Sequence, residues 1–146
     1  VAINVVLAKA HQQQLSDGDI KKELDSVASE INRVDLSYAD GTVNFVFVKG
    51  LYDHNERKMI TVALFVNKTH SSISEIHGVL KMKYKNQLAK IAKATINFDE
   101  PFMGTLKHDE ALLVHIGIPV KGLTGDMSFK ISDIIGSFED VRVTMC

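Results

Sequence analysis

The chain has 146 residues, of which 45% are hydrophobic and 24% charged, ordinary globular values that suit one domain burying roughly 70% of its unfolded surface without disulfide or metal support. Seventeen Lys and Arg against eighteen Asp and Glu leave a net charge of −1, so no global field recommends nucleic acid or an acidic membrane, and a charged partner must be met by a local patch. The one cysteine, Cys146, excludes an intrachain disulfide.

Val1 to Ala10 is apolar but interrupted by Asn4 and Lys9. It is too short for a membrane span and unlike a signal peptide, which together with the single thiol favours a cytoplasmic setting. Residues 2–14 read either as a short strand, through Ile3, Val5, Val6 and Leu7, or as a helix over Ala8 to Gln14. Ser16-Asp17-Gly18-Asp19 is a helix start, with Ser16 placed to accept from first-turn amides and the aspartates favoured by the dipole. Ile20, Leu24, Val27, Ala28 and Ile31 then recur at helical spacing, which predicts a helix from about Asp17 to about Arg33.

After Arg33 the period becomes two. Val34, Leu36 and Tyr38 alternate with Asp35 and Ser37, Asp40-Gly41 supplies a turn, and Val43 to Val48 is a β-branched and aromatic run. Leu51 to Arg57 reads as an exposed connection into a strand from Met59 to Val66. A polar turn over Asn67 to Ser72 leads to the strand Glu75–Tyr84, in which Ile76, Leu80, Met82 and Tyr84 fall on one side and His77, Lys81 and Lys83 on the other. The corner Lys85-Asn86-Gln87 turns the chain into a strand over Leu88 to Phe98, and Asp99-Glu100-Pro101 stops pairing because proline lacks a ladder donor. Ala111 to Val120 is a strongly apolar strand closed by Pro119. Gly122 and Gly125 flank a turn, Met127, Phe129 and Ile131 alternate, Ile135-Gly136-Ser137 reads as a bend, and Val141 to Met145 is the last strand.

One helix followed by about seven short strands, with turns every eight to twelve residues, predicts a mostly β, antiparallel sandwich. The whole of 1–146 reads as a single domain, 1–33 being the N-terminal segment and helix and 34–146 the sandwich. The alternative is an α+β roll, with a curved sheet packed round the helix.

Phe65-Val66-Asn67-Lys68-Thr69, the long strand to Tyr84, Ile91 to Phe98, Gly104-Thr105-Leu106 and the ending Ile118-Pro119 together resemble the SLAP-type immunoglobulin-like domains of Gram-positive bacteria, and share much of the FxLYD outline. The resemblance covers about residues 60–120. It implies an immunoglobulin-like fold and a noncatalytic module, linked by the family's name to S-layer assembly and accessory secretion, and it carries over no catalytic residue.

The residues themselves offer no reactive constellation. Histidines at 11, 54, 70, 77, 108 and 115 show no metal-ligand spacing, although His77 and His115 lie in predicted strands that can face one another. Asp53, His54 and Glu56 crowd one loop, while Asp99 with Glu100, and Asp109 with Glu110, are turn neighbours that point apart. There is no nucleophile elbow and no phosphate loop, so no cofactor is expected. Asn67-Lys68-Thr69 matches a glycosylation acceptor. The feature that stands out is basic: Lys81, Lys83, Lys85, Lys90 and Lys93 share one predicted hairpin and form the candidate partner-binding patch. These features predict a noncatalytic binding or assembly module acting through a sheet edge or this hairpin, on a protein partner or a second copy, without nucleic acid or a transmembrane segment. The alternative is a small-molecule carrier or enzyme with an apolar pocket between helix and sheet, lined by Phe45, Phe47, Met82 and Phe129.

Overall fold

The computed structural model describes residues 3–34 and 36–146. In chain order the elements are β1 (Asn4–Leu7), a 3-10 segment (Lys9–Ser16), α1 (Gly18–Arg33), β2 (Val43–Asp53), β3 (Lys58–Asn67), β4 (Ile73–Tyr84), β5 (Lys90–Ile91), β6 (Ala94–Phe98), α2 (Glu100–Met103), β7 (Glu110–Lys121), β8 (Met127–Lys130), a 3-10 turn (Ile131–Asp133) and β9 (Ile134–Met145). The class is mostly β, as the sequence implies.

In place of two separate sheets, hydrogen bonding runs through nine strands as one open sheet, in the order β6-β4-β5-β7-β3-β2-β8, with β1 added on β7 and β9 on β4. The link is the two-residue β5, which pairs with Lys83 of β4 on one side and with Val120 and Lys121 of β7 on the other. Every pairing is antiparallel except β1 with β7, which is parallel.

β3 is buried on both faces from Thr61 to Asn67. Its even-numbered side chains Val62, Leu64 and Val66 pack beneath α1 with Val27 and Ile31, and Met59, Ala63 and Phe65 turn to the other side, into the main core. There Phe65, with no solvent exposure, meets Phe98 of β6 and Phe138 of β9 edge to face, each with ring centroids 5.2 Å apart. Because β6 and β9 stand far from β3 along the sheet, these contacts show that the sheet folds back over its own inner face. The helix therefore lies outside the curved sheet and not within it, which corrects the roll alternative.

Local chemistry explains the boundaries. The Asp17 carboxylate accepts from the Asp19 amide at 2.8 Å and starts α1, so Asp17 and not Ser16 is the cap; Ser16 instead donates to the Gln13 carbonyl. Asn32 exchanges two hydrogen bonds with the backbone of Ile3, at 2.8 and 2.9 Å, and ties β1 to the helix. Of the two readings the sequence leaves open for this region, a strand is found over Asn4–Leu7, and a 3-10 segment over Lys9–Ser16 stands where a helix is the alternative.

Leu36 and Tyr38 pack on the helix-side cluster without joining a strand, so alternation there reflects packing alone; Asp35 lies outside the described residues. β2 continues to Asp53 through a bulge at Phe47 to Lys49, which places Leu51 and Tyr52 in the strand and reduces the expected connection to a tight turn. The predicted strand from Leu88 to Phe98 is split into β5 and β6. Pro119 does not close β7, which runs two residues further to Lys121, and its carbonyl accepts from the Ala92 amide.

Nor does Gly136 bend the chain. It lies within β9, where a Cβ would sit 2.7 Å from the Phe45 ring, so glycine permits a close approach between β9 and β2. Replacing Phe65 with alanine removes the ring against which both distant strands close, and we expect a loss of about 3–5 kcal/mol, read as a lower midpoint in urea unfolding. A loss under about 1 kcal/mol would show that the fold-back does not depend on this ring.

Candidate lysine-rich face

Alternation along β4 turns Ile76, Leu80, Met82 and Tyr84 into the core and leaves Lys81 and Lys83 exposed on the outer side. Pairing then extends that outer side across the sheet. Lys83 stands opposite Ile135 of β9 on one flank and opposite Lys90 of β5 on the other, and Lys90 stands opposite Lys121 of β7. Directly paired residues share a face, so Ile135, Lys83, Lys90 and Lys121 form one row across four strands.

Lys81 lies beside that row and donates to Glu139 at 2.9 Å. Lys93 is also close enough to lower the Glu139 pKa, a shift caused first by the Lys81 hydrogen bond and its charge. Lys85 is exposed just past β4, its amide bonded to the Asp133 carbonyl. The structure therefore brings all five sequence-predicted lysines to one end of the sheet. It adds Lys121, which is not legible in the sequence because Pro119 there marks the end of its strand.

The other end of the outer face is different in character. His77 of β4 lies between Arg142 of β9 and Asn97 of β6 in register, with Nε2 2.9 Å from Glu75 Oε1 and Nδ1 2.9 Å from Asn97 Oδ1. The Glu75 hydrogen bond, then that of Asn97, raises the His77 pKa above 6.5, with nearby Arg142 opposing. A raised folded-state pKa means that protonated His77 favours the fold below its unfolded value, and that this contribution is lost as pH rises through the folded value.

The remaining candidates are held apart or already engaged. His115 sits on β7 opposite Val62 and pairs with Glu23 of α1 at 2.8 Å, so it does not meet His77. Asp53 caps its turn through the Asn55 amide, and the His54 amide donates to Asp126. Asp99 caps α2 through the Phe102 amide while Glu100 pairs with Lys9; Asp109 pairs with Lys68 at 2.6 Å while Glu110 accepts from the Lys107 amide. Among the described residues no three His, Cys, Asp or Glu side chains converge to hold a metal ion.

Asn67 is fully buried and donates from Nδ2 to the carbonyls of Ser71 and Leu106, both at 2.9 Å, while its Oδ1 accepts from Thr69. An amide so enclosed is a structural clamp between β3 and the segment before β7, and the folded chain does not present it as a glycosylation acceptor.

The pocket expected around Phe45, Phe47, Met82 and Phe129 is not formed by those four residues. Met82 and Phe129 are packed in the core, while Phe45 and Phe47 border an open groove of about 220 Å³ with Tyr38 and Ile134. A separate cleft of about 190 Å³ lies between helix and sheet, lined by Leu7, Ala8, Ile20, Phe102 and Leu113, with the His115–Glu23 pair at its margin. No helix among the described residues is long and apolar enough to cross a membrane. No family model matches the chain, and no curated protein or solved structure matches it significantly.

Because His77 faces Glu75, Asn97 and Arg142, we expect the urea midpoint to fall more between pH 6 and pH 8 in the natural protein than in His77→Gln. Parallel pH profiles for the two would remove His77 from the account.

Proposed function

We propose that the chain is a noncatalytic binding or assembly module of SLAP-type, immunoglobulin-like character in a bacterial protein, and that it engages an anionic partner through the lysine-rich face. The observation that carries this reading is the Lys83–Lys90–Lys121 row. Like charges placed directly opposite one another destabilise a sheet, and among the described residues none of these three belongs to an ion pair. An anionic partner laid across the row would relieve that repulsion.

The face suits docking better than the neighbouring edge. β9 carries Glu139, Asp140 and Arg142, and a register shift with φ of 53° at Asp140 interrupts its regular ladder. Charges and bulges of this kind resist strand addition. The helix-side cleft favours a second reading, a carrier of a small apolar molecule, because it joins an apolar lining to a polar pair at its margin.

Poly-L-glutamate, a soluble polymer of carboxylates, separates the two readings. We expect salt-sensitive binding that weakens about tenfold or more when Lys83→Glu and Lys90→Glu are combined. Unchanged binding by the double variant would overturn the first reading. The second would gain support if a small apolar probe were displaced by Ala8→Trp and not by the lysine changes.

A further inference from the structure

Leu88 is 97% exposed, the most exposed large apolar side chain among the described residues, and it lies in the turn between β4 and β5. A single exposed leucine is unremarkable by itself. Its setting is not. Lys85 and Lys90 flank it in the chain, Lys83 and Lys121 continue the basic row behind it, and Ile135 at 47% and Met127 at 37% exposure lie at the same end.

The tip is also supported from below. Tyr84 is buried against Phe129 with ring centroids 4.6 Å apart, Gln87 Nε2 donates to Met127 Sδ at 3.8 Å, and Ala89 packs closely on Gly122. The nearby carboxylates Asp126 and Asp133 accept from the His54 and Lys130 amides and keep their charge, so Lys83, Lys85, Lys90, Lys93 and Lys121 outnumber them at this end. The hairpin turn is thus packed from below and carries one almost fully exposed apolar side chain beside a row of lysines.

We propose that this end of the molecule docks reversibly on an anionic lipid bilayer, Leu88 entering the interface while Lys83, Lys85, Lys90, Lys93 and Lys121 lie at the level of the head-group phosphates. The proposal rests on the binding-module reading and names the partner of the same face. A folded acidic protein must supply a pocket to cover a protruding leucine, whereas a fluid interface accepts an apolar point wherever it lands. Lysines around it keep their ammonium groups at the phosphates while their stems cover apolar depth. An apolar insertion and a polybasic surface are the two signals that together give stable yet reversible attachment, where either alone is marginal.

The sequence contains no tryptophan, so Leu88→Trp introduces a single emitter at the tip, and the exposure of Leu88 makes the change compatible with folding. With vesicles of phosphatidylcholine containing about 30% phosphatidylglycerol, we expect a blue shift of its emission, absent with phosphatidylcholine alone and absent with poly-L-glutamate. In co-sedimentation, Leu88→Asp should weaken vesicle binding about tenfold, and Lys83→Gln and Lys90→Gln about fivefold each, with binding lost in high salt.

Binding to poly-L-glutamate that needs the lysines, with no blue shift on vesicles and no effect of Leu88→Asp, would overturn the bilayer assignment while leaving the binding-module reading intact and pointing to an acidic protein. No binding to either probe would overturn both.

Discussion

The arrangement depends on β3 being covered on both faces. Its sequence supplies apolar side chains at consecutive positions from Val62 to Val66, so neither face can meet water, and two separate layers must be built against it. The helix provides one, through Val27 and Ile31 over Val62, Leu64 and Val66. The far part of the sheet provides the other, closing on Phe65 through Phe98 and Phe138. A helix of 16 residues is only ~24 Å long, and here it is spent on the outer side of β3 and β7. Among the described residues the outer side of β4, β5 and β9 is left without a cover, and most of its side chains are charged or polar, Val79 and Ile135 being apolar.

That uncovered side is electrically uneven. Toward the His77 end both signs of charge are present, His77 bonding Glu75 on its own strand and standing opposite Arg142 on β9. Toward the hairpin end lysine faces lysine across two successive pairings, and the Glu139 carboxylate bonds Lys81, with the charge of Lys93 acting on it from further off. A net charge of −1 over the chain conceals this local excess, because the opposing carboxylates are distributed elsewhere, on the helix and in the loops. The register of pairing decides which lysines become neighbours.

What could be read in advance follows from which signals are local. The helix was legible because five apolar residues from Ile20 to Ile31 keep its period, and Lys81 and Lys83 were legible as outward-facing because β4 alternates cleanly. Lys121 was not, since its place depends on β7 crossing from β3 to β5 beyond a proline. β5 itself is only two residues long and has no pattern to detect, so the continuity of the sheet was hidden with it. Gly136 looked like a bend because the ring of Phe45, the reason for glycine there, lies about ninety residues earlier in the chain. Leu36 and Tyr38 alternated like a strand, yet they pack against the helix side and have no ladder. Leu88 reads as an ordinary strand residue, and only its place between β4 and β5 and its near-complete exposure show that it faces solvent.

The most direct measurement of the central claim, that the uncovered lysine side is the working surface, is acylation of lysines with and without anionic vesicles, resolved by residue. The account predicts that Lys83, Lys85, Lys90, Lys93 and Lys121 lose reactivity together while Lys21 and Lys22 on the helix react as before. Protection of the helix lysines with the hairpin lysines unchanged would contradict it.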